Sequence, residues 1–516
     1  MNDQLALLPG YLTAHLQLTL VALFLGAGVS IPLGVAVTRR HRLEGPVLGT
    51  AGVVQTIPSL ALLAIMVPAL AGLASLGIAV RSIGYLPAII ALTLYSVLPI
   101  LRNTVTGIRG VDAALLEAAD GVGMTPGERL RRVELPLAMP VIVAGLRTAT
   151  VWVVGTATLS TPVGATSLGN FIFTGLQTRN EAAILTGCVA AAGLAVLLDQ
   201  LIRLVESGLR ERRRRRVAAA SAVLGLLVAY AGWAALPVAG GGRTITIGSK
   251  TFTEQYILSE VLAQWVEAGT GRETRAVQSL GNTVLLDAVV AGDLDVIVDY
   301  SGTIWAEHMG RKTLPGREQV LAGATRWLEE EKGLTVVGGL GFQNTYALGM
   351  RRAQADALGV RTVSDLAAHA STLSIGADYV FFERAEWTAL QQTYGLAFAS
   401  QRSMDPALMY EAVAAGDVDV ISAYSTDGRI AALDLVMLED DRGVIPPYDA
   451  MIIVSARLAR EAPEAVAALR RLVGRIDESR MQRMNFSVDD GGLTPAEVAR
   501  RFLAAEGERQ PPEGER

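Results

Sequence analysis

The sequence predicts two folds joined in one chain: an all-α transmembrane bundle over residues 1–209, and a two-lobed α/β domain over 243–510. Three observations predict this. Composition changes near Ala239: before it, long runs of Leu, Ala, Val and Ile dominate, and after Arg243 charged and polar residues are spaced as in a soluble domain. Six of the apolar runs approach the ~20 residues needed to cross a bilayer. The second half then states one strand–helix plan twice. A chain of 516 residues exceeds the usual size of one domain. Residues 210–242 read as a basic loop, a last membrane helix and a linker, and 511–516 as a disordered tail.

The six spans are expected near 14–37, 47–71, 84–101, 138–159, 182–205 and 217–238. Pro58, Pro68, Pro87 and Pro99 interrupt the second and third, which membrane helices tolerate when neighbours satisfy the freed carbonyls. Basic residues set the orientation. Arg39, Arg40 and Arg42 follow the first span, five arginines from Arg102 to Arg132 lie between the third and fourth, and Arg210 with Arg212 to Arg216 precede the sixth. The opposite side carries little beyond Arg81 and Arg179. The positive-inside rule places the three basic loops in the cytoplasm of a multi-pass cell-membrane protein. The sixth span then delivers the α/β domain to the extracytoplasmic side. The first apolar run is not read as a signal peptide, because arginines follow it and no basic segment precedes it.

The remaining composition excludes several classes. Cys188 is the single cysteine and sits in an apolar run, so no intrachain disulfide forms. His15, His41, His308 and His369 are scattered singly, without metal-ligand spacing, so no metal and no cofactor are expected. The basic run Arg212–Arg216 lies between two apolar stretches and reads as a topology anchor, with a lipid or ionic-strength sensor as the alternative; nucleic acid is not an expected partner.

Between the third and fourth spans stand Glu117-Ala118-Ala119, Gly123 and Val133-Glu134-Leu135-Pro136. Small residues on a short helix let another protein's surface approach, the glycine permits a sharp turn, and Leu-Pro opens the next span. This stretch resembles the EAA-x3-G-x9-[IV]-x-LP loop of ABC importer permeases, with every spacing intact. Gln55-Thr56-Ile57-Pro58-Ser59-Leu60 and Tyr95-Ser96-Val97-Leu98-Pro99 are similar to permeases of the glycine betaine/carnitine/choline type. The resemblance implies a type I permease paired with a second copy of itself and with a cytoplasmic ATPase subunit that docks on Glu117, Ala118, Ala119 and Gly123. The chain carries no ATPase motif of its own: in Gly248-Ser249-Lys250-Thr251 a serine separates Gly from Lys, which breaks the phosphate-loop pattern.

In the second half, residues 286–301 and 410–425 echo each other: a helix, a Gly at its end, an Asp-x-Asp turn, and an apolar strand ending in Tyr-Ser. Thr244–Gly248 and Thr372–Gly376 form an earlier echo, each a strand followed by a helix. Alternating strands and helices predict parallel sheets in two lobes. Ligands bind beyond the carboxyl ends of such strands, so facing lobes make a cleft that closes by hinge motion. The chain is expected to cross between lobes at 342–350 and to return between 434 and 453.

Tyr300 and Tyr424 end the two repeats, and Tyr346 and Tyr448 sit at the crossings, so all four are expected on the cleft walls. A quaternary ammonium has no N–H to donate and is held by aromatic faces, each worth about 0.5–2 kcal/mol when desolvated. The alternative for each tyrosine is a place in the core. Gly248–Gln255, Tyr300-Ser301-Gly302-Thr303, Asn344-Thr345-Tyr346 and Ser425–Ile430 resemble the periplasmic-type binding proteins of osmoprotectant importers for choline, carnitine and glycine betaine. The resemblance implies that these tyrosines form the ammonium cage and that Gln255, Thr303 and Asn344 contact the ligand's other end.

One stretch departs from that pattern: Phe381-Phe382-Glu383-Arg384-Ala385-Glu386-Trp387 lacks the family's Asp-Gly pair. It adds Arg384 as a candidate for a ligand carboxylate, and Trp387 as either an extra wall or core. Fused permease–receptors of this kind include importers of ergothioneine, a betaine with both a trimethylammonium and a carboxylate, so ergothioneine uptake stands as the alternative. More distant alternatives are an amino-acid importer, which would want carboxylates around an α-amine, and a solute-sensing receptor, which would want an output segment. No nucleophile–base set marks an enzyme.

Overall fold

A computed structural model describes residues 2–75, 80–178, 180–234, 244–311 and 316–507. The linker end at 235–243, the tail from 508 and Arg179 lie outside the described residues. The chain divides into two compact units, one built from the N-terminal helices and one from Gly241 onward.

The first unit is helical. Asn2–Arg39, Tyr85–Arg109, Leu135–Ala157, Glu181–Arg210 and Arg214–Ala234 are its long helices, and each of the last four packs on the one before it. Among the described residues, five helices are long and apolar enough to cross a membrane, or six if a bent pair counts as one span. Large apolar side chains such as Phe24, Val189 and Leu226 point outward, as lipid-facing residues do. The expected span at 47–71 is that bent pair: Glu44–Thr56 and Ser59–Ser75 meet at 100°. The cause is Pro58, which pushes Ile57 to an extended ψ of 127° and has no N–H to continue the helix. Pro68 and Pro99 are carried inside continuous helices.

Among the described residues, the second unit holds ten strands in two sheets. In chain order they are β1 Ile245–Gly248, β2 Thr274–Val277, β3 Val296–Tyr300, β4 Thr335–Gln343, β5 Tyr346–Arg351, β6 Ser374–Ala377, β7 Ser400–Ser403, β8 Val420–Tyr424, β9 Leu435–Met437 and β10 Asp449–Val454. The first lobe has order β2-β1-β3-β10-β4 and the second β7-β6-β8-β5-β9. The chain crosses between β4 and β5 and returns between β9 and β10, inside both expected windows.

The sheets are mixed rather than parallel. β1, β2 and β3 run parallel, as do β6, β7 and β8, but β10 is antiparallel to β3 and β4, and β5 is antiparallel to β8 and β9. The crossing strands enter each lobe from the cleft end, so they run against the strands that leave toward it.

The repeated turn explains why both lobes fold alike. Gly292 and Gly416 take φ of +75° and +85°, open to glycine at little cost. The second aspartate of each turn then reaches back to the first strand. Asp295 accepts from the Thr246 amide at 3.0 Å, and Asp419 accepts from the Ser374 amide at 2.8 Å. Each bond ties the strand carrying a cleft tyrosine to the neighbouring strand.

Candidate functional site

The strand ends and crossings of the second unit enclose a cavity of about 350 Å³. Tyr300, Tyr346, Tyr424 and Tyr448 all line it. Their meeting follows from register. Tyr346 pairs directly with Tyr424 across β5 and β8, which puts both rings on one face with centroids 4.9 Å apart. Tyr448 meets Tyr346 edge-on at 5.8 Å. Phe252, just before the helix Thr253–Thr270, adds a fifth ring, 6.3 Å from Tyr300 and 6.5 Å from Tyr424. Burial raises the hydroxyl pKa of Tyr300, Tyr424 and Tyr448 well above its ordinary value, so all three stay neutral donors.

Two carboxylates take those donors. Asp378, just past β6, accepts from Tyr424 at 3.1 Å and from Tyr346 at 3.3 Å. Glu254 lines the cavity and accepts from Tyr300 at 2.5 Å, Asn344 at 2.9 Å, Asn485 at 3.2 Å and the Thr426 hydroxyl. Burial raises its pKa, outweighing four hydrogen bonds that each lower it.

The other predicted residues divide. Asn344 lines the cavity through its contact with Glu254, and Thr303 lines it from a short helical turn after Tyr300. Gln255 is not among the lining residues; it stands behind Tyr300, donating to its hydroxyl at 3.1 Å and to the Val298 carbonyl at 3.2 Å. Arg384 lines the cavity with its guanidinium 5.0 Å from the Tyr346 ring centroid. It donates to Glu307, to Glu386 at 2.9 Å and to the Tyr448 hydroxyl at 2.7 Å. Burial alone would raise the Glu386 carboxyl, but Arg384 holds it below its ordinary range. Trp387 is core: it packs against Phe381, Phe382 and Phe398. Lys250, from the false phosphate-loop match, is buried and paired with Asp299 at 2.5 Å.

Sequence reasoning missed Phe252, Glu254, Asp378, Glu307 and Glu386. Glu254 and Phe252 lie inside the quoted Gly248–Gln255 stretch, so a signal existed there. Glu386 lies inside the quoted Phe381–Trp387 stretch and stands behind Arg384 and Tyr448, whereas nothing in the local sequence marks Asp378 or Glu307, which line the cavity from opposite lobes.

In the first unit, Glu117, Ala118 and Ala119 sit on the helix Ala113–Gly121, capped by Asp112, which accepts from the Ala114 amide at 2.9 Å. Glu117 and Ala118 are exposed and Ala119 is buried. Gly123 has φ of +79° and turns the chain out of this helix. A π-helical turn over Leu130–Glu134 then leads into the helix Leu135–Ala157. Glu134 is 2% exposed and pairs with Arg129 at 2.9 Å and with Arg39; Arg129 also holds Asp120 at 2.7 Å.

Comparison with known proteins covers both units. Residues 243–505 match the substrate binding domain of the ABC-type glycine betaine transport system, and residues 28–211 match the inner membrane component of binding-protein-dependent transport systems. An ergothioneine transport permease/ergothioneine binding protein of Helicobacter pylori is 32% identical over 93% of this chain and 87% of its own length. The choline transport system permease protein of Bacillus subtilis is 44% identical over 39% of this chain and 88% of its own. The carnitine transport binding protein of Listeria monocytogenes is 32% identical over 52% of this chain and 89% of its own.

Proposed function

We propose that this chain, which belongs to the family of ABC-importer permeases fused to a glycine-betaine-type substrate-binding domain, imports a compound carrying a quaternary ammonium. The observation that carries the reading is the convergence of Tyr300, Tyr346, Tyr424 and Tyr448, from both lobes and both crossings, on one cavity. Phe252 extends the aromatic wall, and Glu254 and Asp378 add negative charge beside it. Such a site suits a cation that offers no hydrogen to a hydrogen bond. Thr303 and Asn344 are placed to touch the ligand, Gln255 to orient Tyr300, and Arg384 to meet an anionic end. Among choline, glycine betaine, carnitine and ergothioneine, one observation favours ergothioneine: the relative named for it matches across both units.

In this reading the bundle occupies 1–209, the basic loop, last helix and linker 210–242, and the binding domain 243–510, facing the extracytoplasmic side. Two copies pair with a separate ATPase subunit that docks on Glu117, Ala118, Ala119 and Gly123. Tethering holds each receptor near its permease at an effective concentration of roughly millimolar.

Calorimetry on the full chain in detergent tests the ligand. Titration with the four candidates is expected to give saturable binding of at least one. Tyr424→Leu should weaken it about tenfold, within the range of one aromatic face, and Tyr424→Phe should nearly restore it. Tight binding of an ordinary α-amino acid, with none of the four bound, would overturn the reading.

A further inference from the structure

Arg384 is the cavity's candidate for a ligand carboxylate, yet its guanidinium is already shared by two carboxylates. Glu386 and Glu307 both accept from it, and the Tyr448 hydroxyl accepts a third bond. A ligand carboxylate arriving there would be a third anion on one cation, in a place where a buried charge needs a partner. The two resident carboxylates are not equivalent. Glu386 has a side chain 1% exposed and also takes the Tyr448 hydroxyl as a donor. Glu307 has a side chain 31% exposed; besides Arg384 it accepts from Asn282 at 3.3 Å. It sits on a π-helical turn, Ile304–His308, of a kind that is rare overall and frequent at functional sites. Glu307 has a route to water and Glu386 does not.

We propose that Glu307 is a specificity-determining residue that occupies Arg384 in the unliganded site and is displaced by the ligand's carboxylate. The exchange leaves the charge around Arg384 unchanged, since one carboxylate replaces another. It also trades a link between lobes for one through the ligand, because Glu307 belongs to the first lobe and Arg384 to the second. A ligand ending in an alcohol has no carboxylate to exchange and leaves the pair in place. Glu307 therefore sets how strongly the site separates zwitterions from simple cations. The proposal rests on the quaternary-ammonium reading above.

Choline and glycine betaine make a matched pair, alike but for an alcohol against a carboxylate end, and ergothioneine supplies a second zwitterion. Each is titrated into the full chain in detergent. Glu307→Gln should tighten glycine betaine and ergothioneine about tenfold, because no anion then competes for Arg384, and should not tighten choline. Glu307→Ala should act in the same direction. Arg384→Gln should weaken the zwitterions more than choline, which loses only the support that Arg384 gives Glu386 and the Tyr448 hydroxyl. If only ergothioneine binds, the opposite signs of Glu307→Gln and Arg384→Gln remain the test. Weakening of every bound probe by both Glu307 variants would mean that the ion pair merely holds the lobes together, and would overturn the proposal. Wild-type chain that binds none of the probes would instead remove the quaternary-ammonium reading on which it rests.

Discussion

Glu254→Ala is expected to unfold the binding domain or to lower its melting temperature by more than any other single change in the cavity. Four donors converge on this carboxylate from Tyr300, Asn344, Thr426 and Asn485. They come from β3, the first crossing, the segment after β8 and the helix Glu478–Asp489, so the carboxylate ties both lobes together. Its removal breaks four buried hydrogen bonds at about 1–3 kcal/mol each, and of the four donors Asn485 keeps a second bond, to the Thr426 carbonyl. The sum reaches the ~5–15 kcal/mol that stabilises a whole domain. Glu254→Gln keeps the volume and one acceptor, and should lose far less. Thermal unfolding of the full chain in detergent checks both variants; an Ala variant that melts like wild type would show that the network contributes little.

The same carboxylate makes a pH prediction. Burial raises its folded pKa above the ordinary value of about 4.3. A raised pKa means that the folded state takes the proton more readily. The stability owed to this group is thus fully present below the ordinary value and is lost as pH rises through the folded one. Binding of a cation runs the other way, because it favours the ionised form. Affinity for a quaternary ammonium should rise with pH over that window, with release of a proton. The comparison to make is wild type against Glu254→Gln, titrated in buffers of different ionisation enthalpy. The Gln variant should lose the dependence, and an unchanged dependence would assign it to another group.

The second large effect lies in the helical unit. Glu134→Ala should cut transport at least tenfold while costing only about 2 kcal/mol of stability. Breaking a fully buried ion pair costs about 3–5 kcal/mol. Here Arg39 and Arg129 are 36% and 22% exposed and keep some hydration, so the loss is smaller. The effect on transport is larger because of what Glu134 joins. Through Arg129 it reaches Asp120 on the helix of Glu117 and Ala118, and through Arg39 it reaches the foot of the first long helix. Movement of the proposed docking helix would pass through this cluster to two spans. Uptake assays beside melting curves check it. Equal losses in both would reduce Glu134 to a packing role, and no loss in either would remove the cluster from the coupling path.

Much of this molecule was legible from the chain. Period, length and charge are local properties, so the apolar helices, the loop ending at Leu135-Pro136, the two echoes and the crossings all registered in sequence. The repeats marked Tyr300 and Tyr424 and the crossings marked Tyr346 and Tyr448, and the resemblance implied their shared role as a cage. What escaped depends on separations that sequence does not measure. Pro58 was visible, but the 100° bend it produces was not, because other prolines here sit inside intact helices. The parallel expectation failed at β5 and β10 because a strand's direction in a sheet depends on which lobe it enters from. Glu134 fills an unspecified position in its motif and gains meaning from its two partners, Arg129 nearby and Arg39, 95 residues away. Glu254 was passed over for its neighbour Gln255, since helix register alone does not say which of two adjacent polar side chains faces a cavity. By itself the sequence determined that a permease and a receptor share one chain and that tyrosines line the receptor's cleft. The tertiary structure alone decided which carboxylates stand among those tyrosines, because Glu254, Asp378 and Glu307 reach one cavity from different lobes.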